Sequence, residues 1–238
     1  AEDVFIALNC EQVFCQVPWP GFINRPISAS DRNTIDLTYP YASTLNGTFD
    51  PHHGVEFQNP HGTPVIAAQS GEVIFAGSDA LTVLGPFAGF YGNVVILQHA
   101  DLFEGKDLYT LYAHLSEIDV QEGQILTSGD ILGRVGSTGA ADGPHLHFEV
   151  RVDVNDYDHT VNPVLWFAPL SADDREAKSV LAGVIQGRYS NPLTEYSLSL
   201  EKIGADGLIE RRFYPKTYSC LLYTSDAADE EDSVDLGG

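Results

Sequence analysis

The stretch Gly143-Pro144-His145-Leu146-His147-Phe148-Glu149-Val150 constrains this chain more than any other. Apolar and polar residues alternate through it, and it ends in aromatic and β-branched side chains, the pattern of a β-strand. Residues two apart on a strand share a face. His145 and His147 therefore project together while Leu146 turns the other way. Two imidazoles side by side on a rigid element can bind or serve a metal. They can equally lie on a solvated sheet face, and His-x-His alone does not decide between these readings. Upstream, His52-His53-Gly54-Val55-Glu56 sets a histidine four positions before a carboxylate. Pro51 and Gly54 argue against a helix there. In an extended segment positions 52 and 56 fall on one side and can converge. A third run, Leu111-Tyr112-Ala113-His114-Leu115-Ser116, ends a β-like pattern with another histidine. Three histidine-bearing segments, one with a carboxylate, outweigh any one of them.

The text between these segments reads as β throughout. Val65–Ala68 and Glu72–Ala76 are short strands parted by Ser70-Gly71, and Asn93–His99 is an apolar run fit for a buried strand. Ala100–Lys106 reads as a hairpin loop leading into a strand at Leu108–Ala113. Glycines 123, 129 and 133 punctuate a tight series of strands and turns. No helix of any length fits residues 46–168, and an antiparallel, mainly β architecture is predicted. Residues 1–45 form an N-terminal extended arm carrying Trp19, Pro20, Phe22 and Pro26. Tyr39-Pro40-Tyr41 either lines a groove or packs as ordinary aromatics. Residues 169–179 read as a linker, and 180–219 as the opening strands of a second, truncated β module, with Tyr196–Leu200 alternating as a half-buried strand should. Residues 220–238 resemble the translation of a sequencing-library adapter, the alternative being an acidic tail.

In order along the chain, His52-x-x-x-Glu56, Tyr112-Ala113-His114-Leu115-Ser116 and Gly143-Pro144-His145-Leu146-His147-Phe148-Glu149-Val150 resemble the motifs of the lysostaphin-type zinc endopeptidases (metallopeptidase family 23). Gly62-Thr63-Pro64-Val65, Tyr91-Gly92-Asn93, Gly136-Ser137-Thr138-Gly139 and Asn162-Pro163-x-x-Trp166-Phe167 agree, so the resemblance covers about residues 36 to 168. It implies the antiparallel β domain of that family, the duplicated hybrid motif, and hydrolysis of peptide bonds in bacterial peptidoglycan. It implies one Zn²⁺ per site, held by His52, Glu56 and His147, with His114 and His145 as the two histidines that do not bind metal. Zinc catalytic sites use three protein ligands and a water whose pKa the metal lowers to about 7. Either free histidine can take the proton from water or stabilise the oxyanion. The family usually has Asp at the position of Glu56. The other reading of the same fold is an inactive domain that binds wall or activates another hydrolase; retention of four histidines and a carboxylate favours the enzyme. The family works outside the cytoplasm, so Cys10 and Cys15 are expected to form a small disulfide loop, two free thiols being the alternative. His53, His61, His99 and His159 are expected to be structural or solvated.

Composition narrows the partners. Twelve basic residues against 34 acidic ones give a net charge of −22, which disfavours nucleic acid and anionic membrane surfaces. No run of about 18 apolar residues is present to cross a membrane. The sequence contains no methionine and shows no signal segment. A chain starting at Ala1 is expected to be processed or a fragment, which leaves room for a removed export signal. Nothing in the sequence bears on oligomeric state.

Overall fold

The strict alternation of residues 145–152 does form a strand, and it lies next to the middle of the larger sheet. The computed structural model describes residues 23–44, 48–103, 105–167, 200–203 and 208–213. Cys10, Cys15, Trp19, Phe22, the expected linker at 169–179, Val180–Ile185 and the tail from 220 lie outside these residues.

The strands in chain order are β1 (Val55–Gln58), β2 (Pro64–Ile66), β3 (Gly71–Ser78), β4 (Asn93–Phe103), β5 (Lys106–Ala113), β6 (Leu115–Ile118), β7 (Ile125–Leu126), β8 (Ile131–Val135), β9 (His145–Val152) and β10 (Thr160–Val161). A seven-stranded sheet runs β1-β9-β5-β4-β3-β7, with β10 also pairing β9, and a three-stranded sheet runs β2-β8-β6. Every pairing is antiparallel. A separate antiparallel hairpin joins β11 (Leu200–Ile203) to β12 (Ile209–Phe213). The protein is thus mainly β and antiparallel, and the helical content among the described residues is three single 3-10 turns.

The larger sheet is buried on both faces. One face carries Leu146, Phe148, Val150 and Val152 of β9, Leu108 and Tyr112 of β5, and Val95 and Leu97 of β4. These pack with Val65, Leu115, Leu132 and Val135 of the smaller sheet. Phe57 and Phe148 meet Phe167 from the closing segment. The segment before β1 joins this core through Ile23, Ile27 and Tyr41. Its backbone is tied down by Ile23 N–H to Trp166 O, Asn24 N–H to Ala68 O, and Ala42 N–H to His52 O. The opposite face holds a smaller cluster of Tyr91, Val94, Ile96, Leu111 and Ala113.

The hairpin loop expected at Ala100–Lys106 is corrected. β4 continues to Phe103 and β5 begins at Lys106, with Phe103 opposite Lys106. Gly105, at φ +76°, supplies the left-handed backbone of a tight turn, and after a register shift beyond His99 the two strands pair again beside it. The expected strand at Val65–Ala68 is also shifted, to Pro64–Ile66. Ala67 and Ala68 instead give their backbone groups to Gly129, Asp130 and Asn24.

Candidate metal centre

Register brings the two halves of the centre together. β1 pairs β9 with Glu56 directly opposite His147, and β5 flanks the other side with Ala113 opposite His147. Cross-strand partners point to the same face. Glu56 and His147 therefore share the side away from the main core, on which Val55, Phe57 and Phe148 pack. His52 lies just before β1, and its Nε2 reaches Glu56 Oε1 at 3.0 Å. Gly54 makes the approach possible: a Cβ there would lie 2.6 Å from His147 Cε1 and 2.7 Å from its Nε2. His114 follows β5 with φ +60°, a left-handed residue where the chain leaves the larger sheet for the smaller one. That breaks the alternation along β5 and turns His114 towards β9. Its ring centroid lies 4.8 Å from that of His145 and 5.7 Å from that of His147. Gly92 and Gly139, both left-handed, touch behind it: a Cβ on Gly139 would lie 2.5 Å from Gly92 N. This contact joins the Tyr91 loop to the loop whose Thr138 carbonyl anchors His114.

The donor atoms fit a single divalent cation. His52 Nε2, Glu56 Oε1 and His147 Nδ1 all lie within 4.8 Å of one another. Glu56 Oε1 is 3.0 Å from each imidazole, and the two imidazole nitrogens are 3.3 Å apart. Ligands about 2.1 Å from a tetrahedral ion sit about 3.4 Å from each other, close to these separations. Glu56 Oε2 is buried without a hydrogen-bond partner, although His145 Nε2 lies 3.3 Å away. A buried carboxylate oxygen with no donor is what a cation would complete.

Each imidazole is oriented through its other nitrogen. His52 Nδ1 lies 3.1 Å from Tyr39 O and 3.2 Å from Pro40 O. His114 Nδ1 lies 2.8 Å from Thr138 O, and His145 Nδ1 2.9 Å from Gly143 O. Carbonyl oxygens only accept, so in all three rings Nδ1 donates and Nε2 is left for the centre. His147 is reversed. Its Nε2 donates to Glu149 Oε1 at 3.0 Å, and Nδ1 faces Glu56.

The charges are strongly coupled. Burial opposes ionisation of Glu56, but His147 and His52 outweigh it and hold the carboxylate far below its usual range. Burial also opposes the charged form of His147, yet Glu56 and Glu149 push its pKa up to about 10. His114 is depressed to about 4, by burial first and by the neighbouring His147 second, so it is neutral at pH 7. Glu149 is held at about 2 against the cost of burial, chiefly by Arg151.

The structure brings together all five residues singled out from the sequence. His52, Glu56, His114 and His147 are buried, and His145 keeps a side-chain exposure of 14%. Tyr39, one of the candidate groove residues, stacks on His52 with ring centroids 4.0 Å apart, whereas Tyr41 is a core residue bonded to Thr160 O. His53 turns away to donate to Tyr157 O and stacks on that ring. His99 is buried between Ser70 O and Thr110 Oγ1. His159, expected to be solvated, is half-buried and pairs with Asp156. Sequence reading missed Tyr91, Glu149, Arg151 and Asp79. Positions 149 and 151 carry the same parity as 145 and 147, a signal that was available. Asp79 had none: its carboxylate accepts Tyr91 N–H at 2.8 Å and Gly92 N–H at 2.9 Å across a loop.

Comparison with known proteins assigns part of the chain to a peptidase family. Residues 50–163 match the model of Peptidase family M23, and this domain belongs to that family. The chain is similar to DD-carboxypeptidase/endopeptidase Mpg of Neisseria meningitidis, 40% identical over 117 residues, which is 49% of this chain and 23% of that protein. It is similar to Peptidoglycan DD-endopeptidase ShyA of Vibrio cholerae, 40% identical over 102 residues, 43% of this chain and 20% of that protein. Among solved structures, the catalytic domain of lysostaphin from Staphylococcus simulans matches with 34% identity and a TM-score of 0.43, covering 52% of this chain and 84% of that one. The chain spans about a quarter of the length of the curated relatives it matches.

Proposed function

We propose that the protein is a zinc-dependent endopeptidase that hydrolyses peptide bonds in bacterial cell-wall peptidoglycan. The observation that carries this reading is the convergence of His52 Nε2, Glu56 Oε1 and His147 Nδ1 within 4.8 Å, beside two further histidines. Two imidazoles and one carboxylate are the donor set of catalytic zinc, which leaves a coordination position open. Zinc bound there would supply Lewis acidity and make water nucleophilic at neutral pH.

The rest is the work of the chain's own side chains. His52, Glu56 and His147 would hold the metal. His114, neutral and fixed through Nδ1, offers an unprotonated Nε2. His145, fixed the same way, presents its Nε2 from the more exposed position. These two histidines divide proton acceptance from water and hydrogen bonding to the developing oxyanion between them. Tyr39 walls the centre beside His52. Peptidoglycan as substrate is supported by two Vibrio cholerae relatives whose names call them peptidoglycan DD-endopeptidases. An extracytoplasmic location follows from such a substrate. Among the described residues no helix is long and apolar enough to cross a membrane.

The test is direct. Purified protein is expected to carry one zinc and to release peptides from purified peptidoglycan. His145→Ala is expected to keep the metal and to lose about 10²–10⁴ in rate. A protein without zinc at neutral pH, or a His145→Ala variant as active as the parent, overturns the reading in favour of an inactive wall-binding domain.

A further inference from the structure

His145, His147, Glu149 and Arg151 alternate along β9 and so share one face. The first two belong to the centre already described. The next two are fully buried, which is unusual for an acid and a base. Arg151 donates from Nε and Nη2 to Glu149 Oε2 at 2.9 and 2.8 Å. The other oxygen, Oε1, accepts from the Tyr91 hydroxyl and from His147 Nε2. Arg151 also contacts the Tyr91 hydroxyl at 3.1 Å, Asn155 Oδ1 at 3.2 Å and Leu84 O at 3.1 Å. Both carboxylate oxygens are thereby committed, and the group cannot rotate away from His147.

We infer that Glu149, locked by Arg151 and Tyr91, is the positioning residue that fixes His147 in its Nε2–H tautomer and so presents Nδ1 to the metal. The inference deepens the proposed function and rests on residues 52, 56 and 147 being a metal site. The other three imidazoles need no such device, because each donates Nδ1–H to a nearby backbone carbonyl. His147 sits mid-strand on β9, between β1 and β5, where its own backbone is taken up by strand pairing. A carboxylate two residues further along the same face takes the place of the carbonyl. A carboxylate behind a ligating imidazole also raises the ring's basicity, and loss of such a partner costs about 10–100-fold in metal affinity.

The test uses the full chain. Zinc affinity is measured by competition with a chromophoric chelator, and the His147 tautomer by long-range ¹H–¹⁵N correlation spectra of zinc-loaded protein. Zinc-loaded wild type is expected to show Nε2 protonated and Nδ1 coordinated. Glu149→Gln keeps an acceptor carbonyl and is expected to keep the tautomer, with a loss of affinity below about tenfold. Glu149→Leu/Arg151→Leu removes both charges together, so no unpaired charge is buried. It is expected to lose about 10–100-fold in affinity. Wild-type affinity in the folded double variant overturns the inference while leaving the proposed function standing. So does a zinc-loaded wild type with Nδ1 protonated, a readout that needs no variant to fold. A wild-type protein that takes up no zinc overturns both.

Discussion

The two faces of β9 use the same backbone for opposite ends. One carries Leu146, Phe148, Val150 and Val152 into the main core. The other carries His145, His147, Glu149 and Arg151, of which the last three are as buried as the apolar set. Burial on the first face is favourable in itself, about 25 cal/mol per Å² of apolar surface. Burial on the second is tolerated because each charge has its partner: Glu149 has Arg151, Tyr91 and His147, and Glu56 has two imidazoles. The difference teaches that the strand is rigid because of one face and chemically useful because of the other. A site assembled on a packed strand inherits its precision from residues that never touch the ligand.

Four experiments can break or sharpen that contrast. The largest effect is expected on the polar face. His147→Ala should abolish zinc uptake and lower peptide release by on the order of 10³-fold, the loss of several kcal/mol of Lewis-acid stabilisation. Next comes the apolar face. Phe148→Ala should cost about 3–5 kcal/mol in urea-induced unfolding, with the surviving folded protein binding zinc within about threefold of wild type. A large drop in zinc affinity there would show that the faces are not separable. Smaller still, Tyr41→Phe deletes the buried hydroxyl that donates to Thr160 O at 2.9 Å and should cost about 1 kcal/mol with no change in zinc affinity.

The smallest effect concerns pH. His99 lies on the core side, and burial lowers its pKa below the ordinary 6.5, partly opposed by its bond to Ser70 O. A depressed folded value means that the stability it contributes is complete above pH 6.5 and is lost as pH falls towards that value. Below pH 6.5 the contribution of the raised His147 is already complete, so urea midpoints should decline from pH 6.5 to pH 5, and His99→Gln should flatten part of that decline. An unchanged slope would assign the acid limb to the polar face, where His114 is depressed for the same reason.

Much of this was readable from residue order. The alternation at 145–152 and the carboxylate four residues after His52 pointed to one shared face, and β1–β9 register delivers it. What was not readable depended on conformations that spacing does not encode. His114 reaches the centre only because its backbone is left-handed, which a β-like run of residues does not announce. β4 outruns its apolar stretch because pairing is decided at the Gly105 turn, not by hydrophobicity. Nothing in residue order marks Glu149 and Arg151 as buried, since charged residues are rarely fully buried unless paired. Their burial requires the Tyr91 loop to close over them, with Leu84 O accepting from the guanidinium. That is a tertiary fact.

The bond from His52 to the carbonyls of Tyr39 and Pro40 has a practical corollary. Those two oxygens come from a stretch that precedes residue 50, where the recognised family domain begins. A recombinant fragment trimmed to that border would keep every donor atom of the centre yet lose the brace that aims one of them. Expression boundaries for this protein are best drawn upstream of residue 36, whose backbone N–H also holds Glu56 O at 2.8 Å.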